Sequence, residues 1–176
     1  MRVKVMLAAV AAAIVMSGGT AFAQGSAAAP ERSGFWFNAG LGYGSLGCED
    51  CSDREGGLSG GLSLGGTITD RFLLGVGTSG WTKEEFGERL NVGTLDLRMR
   101  FYPVRTSGFF LTAGVGVGTV SYADESESGL GVLIGIGWDV RLGRNISLTP
   151  FYNGYAMRND TTDANVGQIG IGVTFH

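Results

Sequence analysis

Proline is scarce in this chain, at three residues of 176, and there are two cysteines and a single histidine. With no second cysteine pair and no histidine near the first, zinc and haem readings are weak. The pair reads Cys48-Glu49-Asp50-Cys51, with Ser52 where haem attachment needs histidine. Basic residues are also few, 13 against 16 acidic. A nucleic-acid partner is therefore not indicated. No apolar run reaches the roughly 20 residues of a membrane-spanning helix. What the chain has in excess is glycine, 32 residues. They recur at every second position, as in Gly40, Gly42, Gly44 and Gly114, Gly116, Gly118, which excludes the every-third spacing of collagen.

The start has a recognisable logic. Arg2 and Lys4 precede an apolar stretch from Val5 to Met16, followed by Ala21, Phe22 and Ala23. Charged start, short apolar core and A-x-A exit are the parts of a secretory signal peptide, expected over residues 1–23. The alternative, a retained N-terminal anchor, meets an apolar run that is too short to span. Removing Arg2 and Lys4 leaves 11 basic and 16 acidic residues, a net of −5. Residues 24–33 read as a flexible lead-in of small residues, and 34–176 as one domain.

That domain contains eight apolar-alternating runs, at 34–46, 57–69, 71–81, 90–102, 108–122, 129–142, 145–157 and 165–176. Alternation with period two is a strand signature. Each run is at least the nine to eleven residues that a tilted strand needs to cross a bilayer. The connections alternate between long and short, as in an up-and-down meander with one end outside. Residues 47–56, 82–89, 123–128 and 157–164 form the long set, with twelve acidic and four basic residues, a net of −8. The short set carries Asp70 against Arg71, Arg105 and Arg144.

Parity sorts the strands into two faces. One is oily, as with Leu95, Leu97, Met99 and Phe101 or Val132, Ile134, Ile136 and Trp138. The other carries glycine together with Asn38, Ser59, Ser63, Asp96, Arg98, Arg100, Thr112, Asp139, Arg141, Asn153 and Gln168. A solvent face this rich in glycine would be weak in water, whereas small residues suit a crowded inner wall. Aromatics near the strand ends of the oily face match interfacial girdles. The oily face is therefore expected outward, in an all-β, eight-stranded antiparallel up-and-down transmembrane β-barrel, closed so that no backbone group is left unpaired in hydrocarbon.

On these runs, residues 34–176 resemble the small eight-stranded outer-membrane β-barrel proteins of Gram-negative bacteria, the OmpA/OmpX-type group. The resemblance implies a cell outer membrane location, outer-membrane lipids as surroundings, and assembly by periplasmic chaperones and the barrel-assembly machinery. Ile169, Ile171, Val173 and Phe175 are similar to the assembly signal of that class, and His176 departs from it by following the terminal aromatic.

Four features are candidate sites. Asp96, Arg98, Arg100, Asp139 and Arg141 are expected to form a lumenal ion-pair network, since buried charges need partners. Such a network either plugs the lumen or lines a gated solute path, and Trp36, Phe110, Tyr122, Phe151 and Tyr155 are placed to fill it. Cys48 and Cys51 are expected to form a loop disulfide in an exported protein. The acidic loops read as a solvated, repelling surface, with divalent-cation collection as the alternative. Gly75, Gly77 and Gly80 spell G-x-G-x-x-G, but a dinucleotide site needs a following helix and a parallel sheet.

No cofactor or metal is expected. The functional reading is a non-enzymatic, monomeric structural or surface-interaction protein that meets any extracellular ligand through its loops. The alternatives are a porin-type small-solute channel and an outer-membrane lipid-modifying enzyme. A His-dependent lipase is disfavoured because His176 falls on the turn side.

Overall fold

The computed structural model describes residues 32–48, 53–85, 88–122, 125–159 and 163–176. The expected signal peptide, most of the lead-in, Cys51 and the side chain of Cys48 lie outside the described residues. The strands are β1 (Phe35–Cys48), β2 (Glu55–Thr69), β3 (Phe72–Glu85), β4 (Glu88–Phe101), β5 (Phe109–Tyr122), β6 (Glu125–Trp138), β7 (Val140–Arg141), β8 (Ile146–Arg158) and β9 (Asp163–Phe175). Every pairing is antiparallel: consecutive strands pair from β1 to β6, β6 and β7 both pair with β8, β8 pairs with β9, and β9 returns to β1, so the sheet closes. β6 and β7 are one barrel strand broken at Asp139, and the closed sheet is an eight-stranded barrel. The break has a local cause. It lies opposite Thr149 and Pro150 of β8, where proline has no N–H for the ladder, while on the β5 side Asp139 N–H still donates to Gly108 O at 2.9 Å.

The oily face points outward, as the parity argument required. Leu95, Leu97 and Met99 are exposed while Asp96, Arg98 and Arg100 are buried, in strict alternation along β4. The belt on β1 runs from Phe35 to Tyr43, nine residues. At ~3.3 Å per residue and a tilt of ~40° it covers roughly 20 Å of the membrane normal. At its turn end, ring pairs on adjacent strands form a girdle: Phe72 with Phe101 at 4.7 Å, Phe109 with Trp138 at 6.0 Å, Phe37 with Phe175 at 6.4 Å.

Two sequence expectations are corrected above the belt. First, the strands run further than the apolar runs. β3 continues to Glu85, β4 begins at Glu88 and β6 begins at Glu125, so much of the acidic "loop" sequence is paired strand. Cross-strand partners explain the extension: Glu84 faces Arg89, Arg158 faces Asp163, and Ser121 and Ser126 share a hydrogen bond at 3.1 Å. Second, the faces exchange character there. The outer wall becomes small and polar, with Gly80, Thr82, Asn91, Gly93, Thr119, Ser121, Ser126 and Ser128. The inner wall becomes apolar, with Trp81, Val92, Leu133, Tyr155 and Val166 packed together. A strand that leaves hydrocarbon for water must do this to keep an oily core.

Candidate functional site

The lumen is built in three layers. At the turn end Trp36, Leu73, Tyr102 and Phe110 form an apolar plug. At the loop end the Trp81 cluster forms another. Between them lies a polar waist of Asn38, Ser63, Ser79, Asp96, Arg98, Arg100, Thr112 and Gln168, each at most 8% exposed. A cavity in that waist, bounded by Arg98, Arg100, Phe110, Phe151 and Gln168 among others, holds about 20 Å³ of free space. A single water needs about 10–15 Å³ on this measure, so the space takes one water, not a column.

Glycine makes this filling possible. A Cβ on Gly77 would lie 2.5 Å from Arg98 Cζ, and one on Gly114 would lie 2.4 Å from Asp96 Oδ1. The ion pair therefore rests across the bare backbones of β3 and β5. Phe151 rests likewise on Gly40 and Gly170, Phe110 on Gly137 and Trp81 on Gly44. Each bulky lumenal side chain occupies the volume that a neighbouring strand gives up.

The five charges expected in one network fall into separate settings. Arg98 grips Asp96 through both ends, Nε to Oδ1 at 2.8 Å and Nη2 to Oδ2 at 2.6 Å, and its Nη2 also donates to Ser79 Oγ at 3.1 Å. Arg100 lies 4.8 Å from the Trp36 ring centroid and 4.6 Å from that of Phe110, with Nε and Nη1 lacking hydrogen-bond acceptors. Asp139 sits at the turn end, accepting from Tyr102 Oη at 2.7 Å and Thr149 Oγ1 at 2.7 Å, with His176 Nε2 at 3.4 Å. Thr149 continues through Thr174 to Asn38. Arg141 Nε donates to Gly143 O at 3.0 Å in the adjoining turn.

Asp139 and Tyr102 each follow a girdle residue, Trp138 and Phe101, on its turn side, and so lie outside the apolar belt. Burial pushes the Asp139 carboxyl up. The approach of His176, the Arg100 charge and the hydrogen bonds of Thr149 and Tyr102 outweigh it and hold the carboxyl below its ordinary 3.8. Burial, with the Asp139 charge alongside, raises the Tyr102 phenol well above its ordinary value.

Among the aromatics expected inside, Trp36, Phe110 and Tyr155 are buried, and Phe151 is half-buried against glycine. Tyr122 is corrected: it stands at the loop rim and is 54% exposed, since β5 ends there. Three contributors were missed. Trp81 donates its indole N–H to Gly44 O at 3.1 Å. Tyr102 was missed because it follows the last residue of β4. Arg32 stacks on the Tyr102 ring at 3.6 Å and donates to Arg105 O and Ser107 O, closing the turn-end mouth from before β1. Its signal, one cation in a run of small residues, is visible only once the mouth is known.

An outward apolar belt with girdle, a buried polar waist and a strand-built rim define an integral outer-membrane β-barrel. The sequence profile of the outer membrane protein beta-barrel domain family matches residues 9–176, and the chain belongs to that family. Its place is the outer membrane. No functionally curated protein matches the sequence. Among solved structures the chain is similar to Neisserial surface protein A, at 17% identity and a TM-score of 0.61 over 81% of this chain and 97% of that one. It is also similar to Ail, the attachment invasion locus protein of Yersinia pestis, at 11% identity and 0.60 over 82% and 99%. Ail has also been solved in complex with the heparin analogue sucrose octasulfate, and that structure matches at 12% identity and 0.56 over 81% and 99%. These likenesses establish the fold.

Proposed function

We propose that the protein is a non-enzymatic, monomeric surface barrel whose lumen is closed and whose loop-end hairpins do its work outside the cell. The observation that carries this reading is the waist, where about 20 Å³ of free space is held between two apolar layers. Ions crossing it would have to pass Trp81 and Trp36, both at most 2% exposed. The rim keeps an acidic balance even though Glu55 is tied to Lys83, Glu84 to Arg89 and Asp163 to Arg158. That balance disfavours a sulfated polyanion of the kind seen with Ail and favours a partner presenting positive charge.

Purified protein in planar bilayers tests the closed lumen. Quiet membranes are expected. Steady, ion-selective openings would instead establish the porin-type channel, which the unpartnered Arg100 Nε and Nη1 and Gln168 Nε2 of the waist favour as the second reading. A lipid-modifying activity finds little support in His176, whose side chain is 1% exposed beside Asp139 at the turn end. Altered membrane lipid in cells carrying the protein, abolished by a rim or lumen substitution, would overturn the non-enzymatic reading. Ile169, Ile171 and Phe175, all exposed on β9, support recognition of the last strand by the assembly machinery. Export to an oxidising compartment supports a Cys48–Cys51 disulfide.

A further inference from the structure

Not all of the outer wall is belt or collar. Between β1, β9, β8 and β6 a groove of about 660 Å³ runs down the outside of the barrel. Its floor is bare because Gly154 of β8 faces Gly167 of β9, with Ala156 and Asn165 beyond. Tyr152 and Ile169 flank its lower part, where the wall is apolar. At its upper end lies Arg54, exposed, and laid flat across β1 and β9 by Nε to Ser45 Oγ at 3.0 Å, Nη2 to Ser45 O and Nη1 to Asn165 Oδ1 at 2.8 Å.

Three observations make this end a site for an anion. Arg54 has five donor hydrogens, and these three bonds to neutral acceptors leave two for a ligand. Of the carboxylates near it on the described rim, Glu55 pairs with Lys83 and Asp163 with Arg158, and the exposed Asp53 makes no ion pair with it, so its charge has no carboxylate partner among the described residues. A Cβ on Gly167 would sit 3.6 Å from Tyr152 Oη and 4.0 Å from Arg54 Nη2, so a phenol and a guanidinium overhang the same bare spot. Polar and cationic at the loop end, apolar below and open toward the membrane, the groove has the polarity profile of one lipid molecule.

We propose that this groove seats a phosphate-bearing lipid of the outer leaflet. The phosphate accepts from Arg54 and Tyr152 over Gly167, and an acyl chain runs down past Tyr152 and Ile169. The guanidinium is held in place by Ser45 and Asn165 before the lipid arrives, so little side-chain freedom is lost on binding. A zwitterionic headgroup carries its own cation, which competes with Arg54 for the phosphate, so the site selects anionic over zwitterionic lipids, and the exposed tail path selects a lipid over free phosphate.

The test uses the full barrel reconstituted in vesicles of equal parts phosphatidylglycerol and phosphatidylcholine, extracted into mild detergent and weighed by native mass spectrometry. One phosphatidylglycerol is expected to stay bound in preference to phosphatidylcholine. Arg54→Gln is expected to lower its retention about tenfold, the equivalent of one charge-assisted hydrogen bond. Gly167→Trp, which meets only ordinary contacts at its Cβ, is expected to abolish retention while heat-modifiable gel mobility shows the barrel folded. Equal retention of the two lipids, or retention unmoved by both substitutions, would overturn the proposal. Displacement of the lipid by millimolar inorganic phosphate alone would overturn it in favour of a free-anion site, and a two-chain mass lost in Gly167→Trp in favour of a second copy.

Discussion

Removing the Arg98 guanidinium should unbalance the waist more than any other single change there. Asp96 and Arg98 have side chains 0% and 6% exposed and share two hydrogen bonds, at 2.8 and 2.6 Å. In Arg98→Met the carboxylate keeps Thr94 Oγ1, at 3.4 Å, as its remaining side-chain partner. Breaking a buried pair from one side typically costs about 3–5 kcal/mol, because an uncompensated charge stays behind. The 20 Å³ beside it admits one water, which recovers part of that, so about 3 kcal/mol is expected. The double change Asp96→Leu with Arg98→Met removes both charges, and Gly77 and Gly114 leave the new side chains room. It should cost about 1 kcal/mol or less, well below the sum of the singles. Urea unfolding in detergent micelles, followed by the loss of the fast-migrating folded band, reads all three against wild type. If Arg98→Met lost less than ~1 kcal/mol, or the double variant equalled the sum of the singles, the pair would not be a coupled buried unit and the account of the waist would fail.

Three further outcomes follow from the same geometry. Gly75→Ala should destabilise the barrel by about 2 kcal/mol, because its Cβ would meet Leu64 O of the paired strand at 2.0 Å, whereas Gly80→Ala meets nothing within 4 Å and should be neutral within ~0.5 kcal/mol; thermal conversion of the folded gel band ranks the two. Asp139, held below its ordinary 3.8, stabilises the turn end at pH values above about 4 and ceases to do so as acid protonates it, so wild type should convert at a lower temperature at pH 3 than at pH 7 while Asp139→Asn flattens that difference. Tyr102→Phe should cost about 1–2 kcal/mol in urea unfolding, because Asp139 loses its 2.7 Å donor while the ring stays to pack on Phe110 and Arg32.

How much of this was legible in the sequence varies with the range of the information needed. Period-two alternation is local, so the strands, the outward belt and the closed meander could be read directly. The pairing of Asp96 with Arg98 was within reach for the same reason, since both sit on one face of β4, two residues apart. Arg100 and Asp139 were not, because their settings depend on which strand ends meet at the mouth: Trp36 comes from β1, Phe110 from β5, Thr149 from β8 and His176 from after β9. The acidic hairpins were misread for a different reason. Polar residues that pair across a hairpin above the bilayer carry no apolar alternation, so Glu84 opposite Arg89 looks like loop until its register is known.

The exchange of faces above the belt bears on how the surface can work. Had the sequences after Trp81 or before Val92 been free loops, a partner would have to order them, at about 1–2 kcal/mol per residue. Instead Trp81, Val92, Tyr155 and Val166 give the projecting barrel its own core, and the ladders continue through Glu84 and Arg89 and through Arg158 and Asp163. The small outer residues of the collar, from Gly80 and Gly93 to Thr119 and Ser128, leave a wall of small side chains above the apolar belt. The described arms of the hairpins are therefore ordered by their own pairing. Among the described residues, charges such as Glu84 opposite Arg89 and Asp163 opposite Arg158 hold spacings set by strand separation, and the proposed partner would have to match that spacing as well as the charge.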